Sequence, residues 1–180
     1  MGYIIMNFSG MSIAGGVTIT PPSPGTKKAI FGYGITSAEV SMTNLVSDTG
    51  VVGNDVTGVG TAREYLAAAG YGGDKAIFGY GFGASGRVSV TNLVSNTGVV
   101  GNDVTGVGTA RFYPAAAGYG TDKAIFGYGT INGTGGLSMT NLVSNAGVVA
   151  TDTVGVGTAR FQLAAASYGT DTAIFGYGYS

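Results

Sequence analysis

DKAIFGYGFGASGRVSVTNLVSNTGVVGNDVTGVGTARFYPAAAGYG, residues Asp74–Gly120, decides the fold, because the chain writes it out again on both sides. AIFGYG occurs with its Phe at Phe31, Phe78, Phe126 and Phe175, at steps of 47, 48 and 49 residues. Between copies the same blocks return in the same order. TNLVS begins at Thr43, Thr91 and Thr140, GVGTAR ends at Arg63, Arg111 and Arg160, and an AAA-x-YG block follows each Arg. A period of this length marks a tandem array of supersecondary units. The growth of the period has one source, the connection after FGYG: Ile35–Val40, Phe82–Val88 and Thr130–Leu137 hold six, seven and eight residues. A hairpin tip varies in this way when the scaffold is fixed and the loop is free.

Each unit accommodates four strands. Leu66–Gly72 carries small residues throughout. Lys75–Gly81 alternates Ala76, Phe78 and Tyr80 against Ile77, Gly79 and Gly81, a period of two. Val88–Ser95 places Val88, Val90, Asn92 and Val94 on one face, and a shorter strand is expected within Gly98–Gly108. Gly72–Asp74 and its equivalents read as tight turns. No segment sustains a 3.6-residue period, and with Gly at 35 of 180 residues helix is disfavoured throughout. A four-stranded unit of this length predicts an all-β, propeller-like array, with the Ala- and Gly-rich strand innermost, where blades converge. Residues 1–26 read as an N-terminal arm and Pro-rich linker. Residues 27–180 read as the repeat domain, with units near 28–74, 75–122 and 123–171 and a partial unit at 172–180.

Composition excludes much chemistry. There is no Cys and no His. That removes disulfides, thiol nucleophiles, thiolate zinc sites, the imidazole base and the Ser-His-Asp triad. A net charge of −1 leaves no electrostatic footprint for nucleic acid. Hydrophobic residues at 44% argue against disorder, although only 9% of residues are charged. No apolar run is long enough for a membrane helix, and the uncharged first residues lack the basic start of a signal peptide. No cofactor is expected, although the Asp55-type positions leave a calcium ion open.

The charges fall in columns. Asp55, Asp103 and Asp152 form one, Arg63, Arg111 and Arg160 a second, Asp74, Asp122 and Asp171 a third, and Lys28, Lys75 and Lys123 a fourth. Identical copies in every unit point to structural pairing, since one active site needs one set of groups. The unrepeated acids Glu39, Asp48 and Glu64 lie in no recognisable motif, and the chain reads as a non-enzyme. The variable tips are the candidate binding surface. Phe82, Arg87, Asn132 and Thr134 are expected to be exposed on one rim and to suit a receptor or host-surface glycan.

A small-residue strand, a turn, a strand ending in glycines, a second hairpin and a closing Arg resemble the kelch-type propeller blade. Here these are Ala115–Gly120, Asp122, Lys123–Gly129, Leu137–Ser144 and Arg160. The tandem unit, with the opening FSGMSIAGGVTITPP (Phe8–Pro22), is similar to repeat proteins of tailed bacteriophages of marine bacteria, cyanophages among them. That resemblance implies a location in the virion and a role in a tail fibre, host attachment or particle decoration. A soluble lectin-like module is the alternative. Four FGYG strands stand against three TNLVS, three GVGTAR and three AAA strands, so unpaired edges are expected to seek a partner. Either a second chain completes the ring, giving a homo-oligomer, or a partner caps the ends. Residues 1–25 would supply a strand through Gly16–Thr20 or dock onto another virion protein.

Overall fold

The computed structural model describes residues 28–180, and among them the only regular elements are strands. They are β1 (Ala29–Ile35), β2 (Glu39–Val46), β3 (Ala67–Tyr71), β4 (Lys75–Gly79), β5 (Phe82–Gly83), β6 (Gly86–Arg87), β7 (Thr91–Val94), β8 (Ala115–Tyr119), β9 (Lys123–Gly127), β10 (Thr140–Val143), β11 (Ala164–Tyr168) and β12 (Thr172–Gly176). The units are small antiparallel sheets: β3-β4-β7 and β8-β9-β10 have three strands, while β1-β2 and β11-β12 have two. The two full units share one register. Ile77 sits between Ala69 and Leu93, and Ile125 between Ala117 and Leu142. The described residues form no closed barrel or ring. The all-β, antiparallel repeat is present, and the expected arm, residues 1–26, lies outside the described residues.

Small residues let the units approach. β3, β8 and β11 lie side by side, and the Gly72 and Gly120 N–H groups donate to the Asp122 and Asp171 carbonyls of the following unit at 2.6 and 2.7 Å. The core lies between sheets, where Ile77, Tyr80, Ala124, Phe126 and Val143 are wholly buried. Tyr80 packs edge-on against Phe126 with ring centroids 5.2 Å apart, repeating the Tyr33–Phe78 contact at the same spacing. Gly79 leaves room for this ring: a methyl group there would stand 2.7 Å from the tip of Phe126.

Two strand expectations need correction. The fourth strand within Gly98–Gly108 does not form, and only Val100 and Val104 bridge to Val94 and Thr91. Between these bridges the Gly101 carbonyl is taken by a side chain, since Asn92 Nδ2 donates to it at 3.1 Å and to Asp103 at 2.9 Å. The third strand is shorter than Val88–Ser95, since the chain bulges at Tyr80, whose φ is +62°.

Candidate binding rim

Between consecutive units lies a buried polar joint. Arg63, fully buried, lays its guanidinium 4.2 Å from the ring centroid of Tyr33 in its own unit. It reaches into the next unit, where Nε donates to the Tyr80 carbonyl at 2.9 Å and Nη2 to Asn92 Oδ1 at 2.7 Å. Asp103 of that unit answers by accepting from the Thr61 N–H and, at 2.6 Å, from Thr61 Oγ1. Arg111 repeats the arrangement over Tyr80 with Asn141 at 2.7 Å, except that its Nε has no acceptor, and Asp152 takes the Thr109 donors. Burial works to raise the carboxyls of Asp103 and Asp152. The Thr and Asn hydrogen bonds and the nearby Arg outweigh it and hold both below the usual Asp value. Burial pushes the Arg63 and Arg111 guanidinium groups down, with the tyrosine beneath each opposing the shift. Asp55 and Arg160 sit where this pattern opens at the two ends. Among the described residues, Asp55 accepts only from Asn44 Nδ2, and Arg160 reaches only the Thr158 and Tyr177 carbonyls. Asp103 and Asp152 have their oxygens engaged by protein donors, and among the described residues no three His, Cys, Asp or Glu side chains are placed to hold a metal ion.

The second constellation lies at the hairpin tips, and most of it is not apparent from the repeat pattern. After each closing Arg the chain turns through a residue with positive φ: Tyr65 at +54°, Tyr113 at +55° and Gln162 at +54°. An L-residue with a bulky side chain adopts this conformation only under constraint. The constraint is unit stacking, since the Tyr113 N–H donates to the Tyr65 carbonyl at 2.8 Å and the Gln162 N–H to the Tyr113 carbonyl at 3.3 Å. The result is an aromatic row. Tyr65 and Tyr113 stack at 4.2 Å, Tyr113 and Phe161 lie 6.2 Å apart, and Phe161 meets Tyr179 at 5.7 Å. Residues Glu64, Phe112 and Phe161 bridge to Phe82, Thr130 and Tyr179, which ties the row to the tips. Glu64 is buried, and its Oε2 has no partner. Tyr113 and Glu64, as acceptors for the Tyr65 O–H and as nearby negative charge, push the Tyr65 phenol up to about 12, so it stays protonated at ordinary pH.

Of the residues read as rim contacts, Arg87, Asn132 and Thr134 are exposed. Phe82 is not: it is half-buried and packs edge-on against Phe112 at 5.3 Å, because its bridge to Glu64 turns it inward. The tips touch, with Arg87 Nη1 donating to the Ile131 carbonyl at 3.3 Å. Asn132 folds its tip by accepting from the N–H groups of Thr134 and Gly135. Sequence reading missed Tyr65, Tyr113 and Phe161, which stand between two repeated blocks as a dipeptide that differs in each unit. At the other end of β4 an open cleft of about 260 Å³ is lined by Tyr71, Lys75, Tyr119, Lys123 and Asp171. Its lysines neighbour Asp74 and Asp122 at 3.8 and 3.4 Å, so it carries little net charge. No protein-family model matches the chain, and no curated protein matches it.

Proposed function

We propose that the chain is a non-enzymatic structural repeat module of a phage virion, serving host attachment or particle decoration, with its variable rim as the contact surface. The units act as blades of a kelch-like, propeller-type array completed by more than one chain, and residues 1–25 dock it onto other virion proteins. The observation that carries the reading is the division of labour along each unit. The joint Arg63–Asn92–Asp103 recurs as Arg111–Asn141–Asp152, while length and side-chain variation gather at one rim beside an aromatic row. The virion setting is supported by the resemblance of the repeat to phage proteins. Aromatic faces with amide and hydroxyl neighbours suit a sugar, whose C–H face stacks on a ring while its hydroxyls find polar groups.

Antibody raised against the recombinant chain, applied as immunogold to purified particles, is expected to label the tail fibre, tail tip or head. Absence of label from every particle overturns the virion setting. The aromatic row favours a second reading, a free lectin-like module. A glycan array separates it: binding that is lost in Tyr65→Ala, with no label on particles, selects that reading.

A further inference from the structure

The joint between units is built twice inside the chain, and its two halves stand open at opposite ends of the described residues. On the Arg side, methyl groups at Gly60 and Gly108 would run into the Asn–Asp pair of the following unit, whereas one at Gly157 would meet nothing. Thr61 and Thr109 donate to an Asp, but Thr158 has no such acceptor. Arg63 and Arg111 bond an Asn side chain, but Arg160 does not. On the Asn side, Asn44 and Asp55 are already paired at 2.8 Å, as Asn92–Asp103 and Asn141–Asp152 are, and among the described residues no Thr or Arg bonds to them. The apolar part is complementary too. Leu45 and Leu93 lie against Gly98 and Gly147 of the next unit, while Leu142 is 41% exposed and Gly50 meets nothing among the described residues.

The strands show how the halves meet. Among the described residues, β11-β12 is joined by no TNLVS strand, and β1-β2 by no AAA strand. Both contain the same AIFGYG strand, at Ala29–Gly34 and Ala173–Gly178. We propose that a second copy of this chain docks its β1-β2 hairpin onto β11 in place of β12, which makes β12 a self-capping strand. The three-stranded unit β11-β1-β2 is then complete. Phe31 of the incoming copy takes the place of Phe175 against Gly127 and Tyr128. Arg160 and Thr158 close on the incoming Asn44 and Asp55, and Leu142 covers Gly50. Strand pairing is replaced residue for residue, so the buried polar joint is the net gain. Propagation gives a head-to-tail ring or filament. The inference concerns the end faces and stands apart from what the rim binds.

Sedimentation of the full chain over a concentration series tests it, with Arg160→Ala and Asp55→Ala as variants. Both side chains lie outside the core, so each variant is expected to melt as wild type when dilute. Wild type is expected to form species above 17.8 kDa. Each variant is expected to weaken association at least about tenfold. An equimolar mixture should form dimers and stop there, since only one pairing of intact faces remains. Hydrogen exchange should show amides 172–176 losing protection on assembly. Wild type that stays monomeric, variants that assemble as it does, or retained protection in 172–176 overturns the proposal.

Discussion

At the scale of single residues, the polar joint is a buried charge whose cost is met by geometry. Arg63 and Arg111 are wholly buried, a state tolerated only when a guanidinium fork is filled. Tyr, Asn and two carbonyls fill it at Arg63, Tyr, Asn and one carbonyl fill all but Nε at Arg111, and the carboxylate across each joint is held by Thr donors as well as by charge. The sign of the pH dependence follows. Asp103 and Asp152 have folded values below their unfolded ones. Their contribution is therefore complete above the unfolded carboxylate value of about 3.9 and is lost as the pH falls through the lower folded values. Denaturant midpoints are expected to hold from neutral pH to about 5 and then decline. The Asp103→Asn, Asp152→Asn double variant should be less stable at neutral pH and show a shallower acid decline. An unchanged decline would place the titrating groups elsewhere.

At the scale of the element, the FGYG strand ends in a glycine whose missing side chain receives a ring from the next unit. A methyl group at Gly79 would lie 2.7 Å from Phe126, while one at Gly176 meets nothing. Gly79→Ala is expected to lower stability by about 1–3 kcal/mol through overpacking, and Gly176→Ala to leave it within about 0.5 kcal/mol. Paired thermal or urea melts at low concentration check this, and equal effects would contradict the stacking. The same strands show what was legible beforehand. The period-two reading of Lys75–Gly81 locates β4, and Gly72–Asp74 marks its turn, because alternation and turn chemistry are local. The segment Gly98–Gly108 misled, since its Val and Thr content suits a strand while Asn92 takes the carbonyl that a ladder would use. Tyr65, Tyr113 and Phe161 were hidden for a different reason. They meet only because each unit stacks on the last, and no spacing within one unit encodes that contact.

At the scale of the molecule, a row of units that touch only their neighbours has stability divided between sheets and joints. Cutting one joint should then free one part of the row and leave the remainder folded. The first unit offers the clearest case. β1-β2 is a two-stranded sheet, marginal by itself. It is held to β3-β4-β7 by Arg63, Asp103 and the Tyr33–Phe78 contact. Arg63→Ala leaves Asn92 Oδ1 without its donor and a void over Tyr33, a loss of about 1–3 kcal/mol for the unsatisfied acceptor with the void adding to it. Native-state hydrogen exchange should show amides 29–46 losing protection by about that amount, while amides 123–127 and 140–143 change little. If protection fell equally along the whole chain, the units would be one cooperative block and the joints would be ordinary core. A graded loss, steepest at β1-β2, is what a row of coupled sheets requires. It would also make that hairpin the part most readily presented to a second copy.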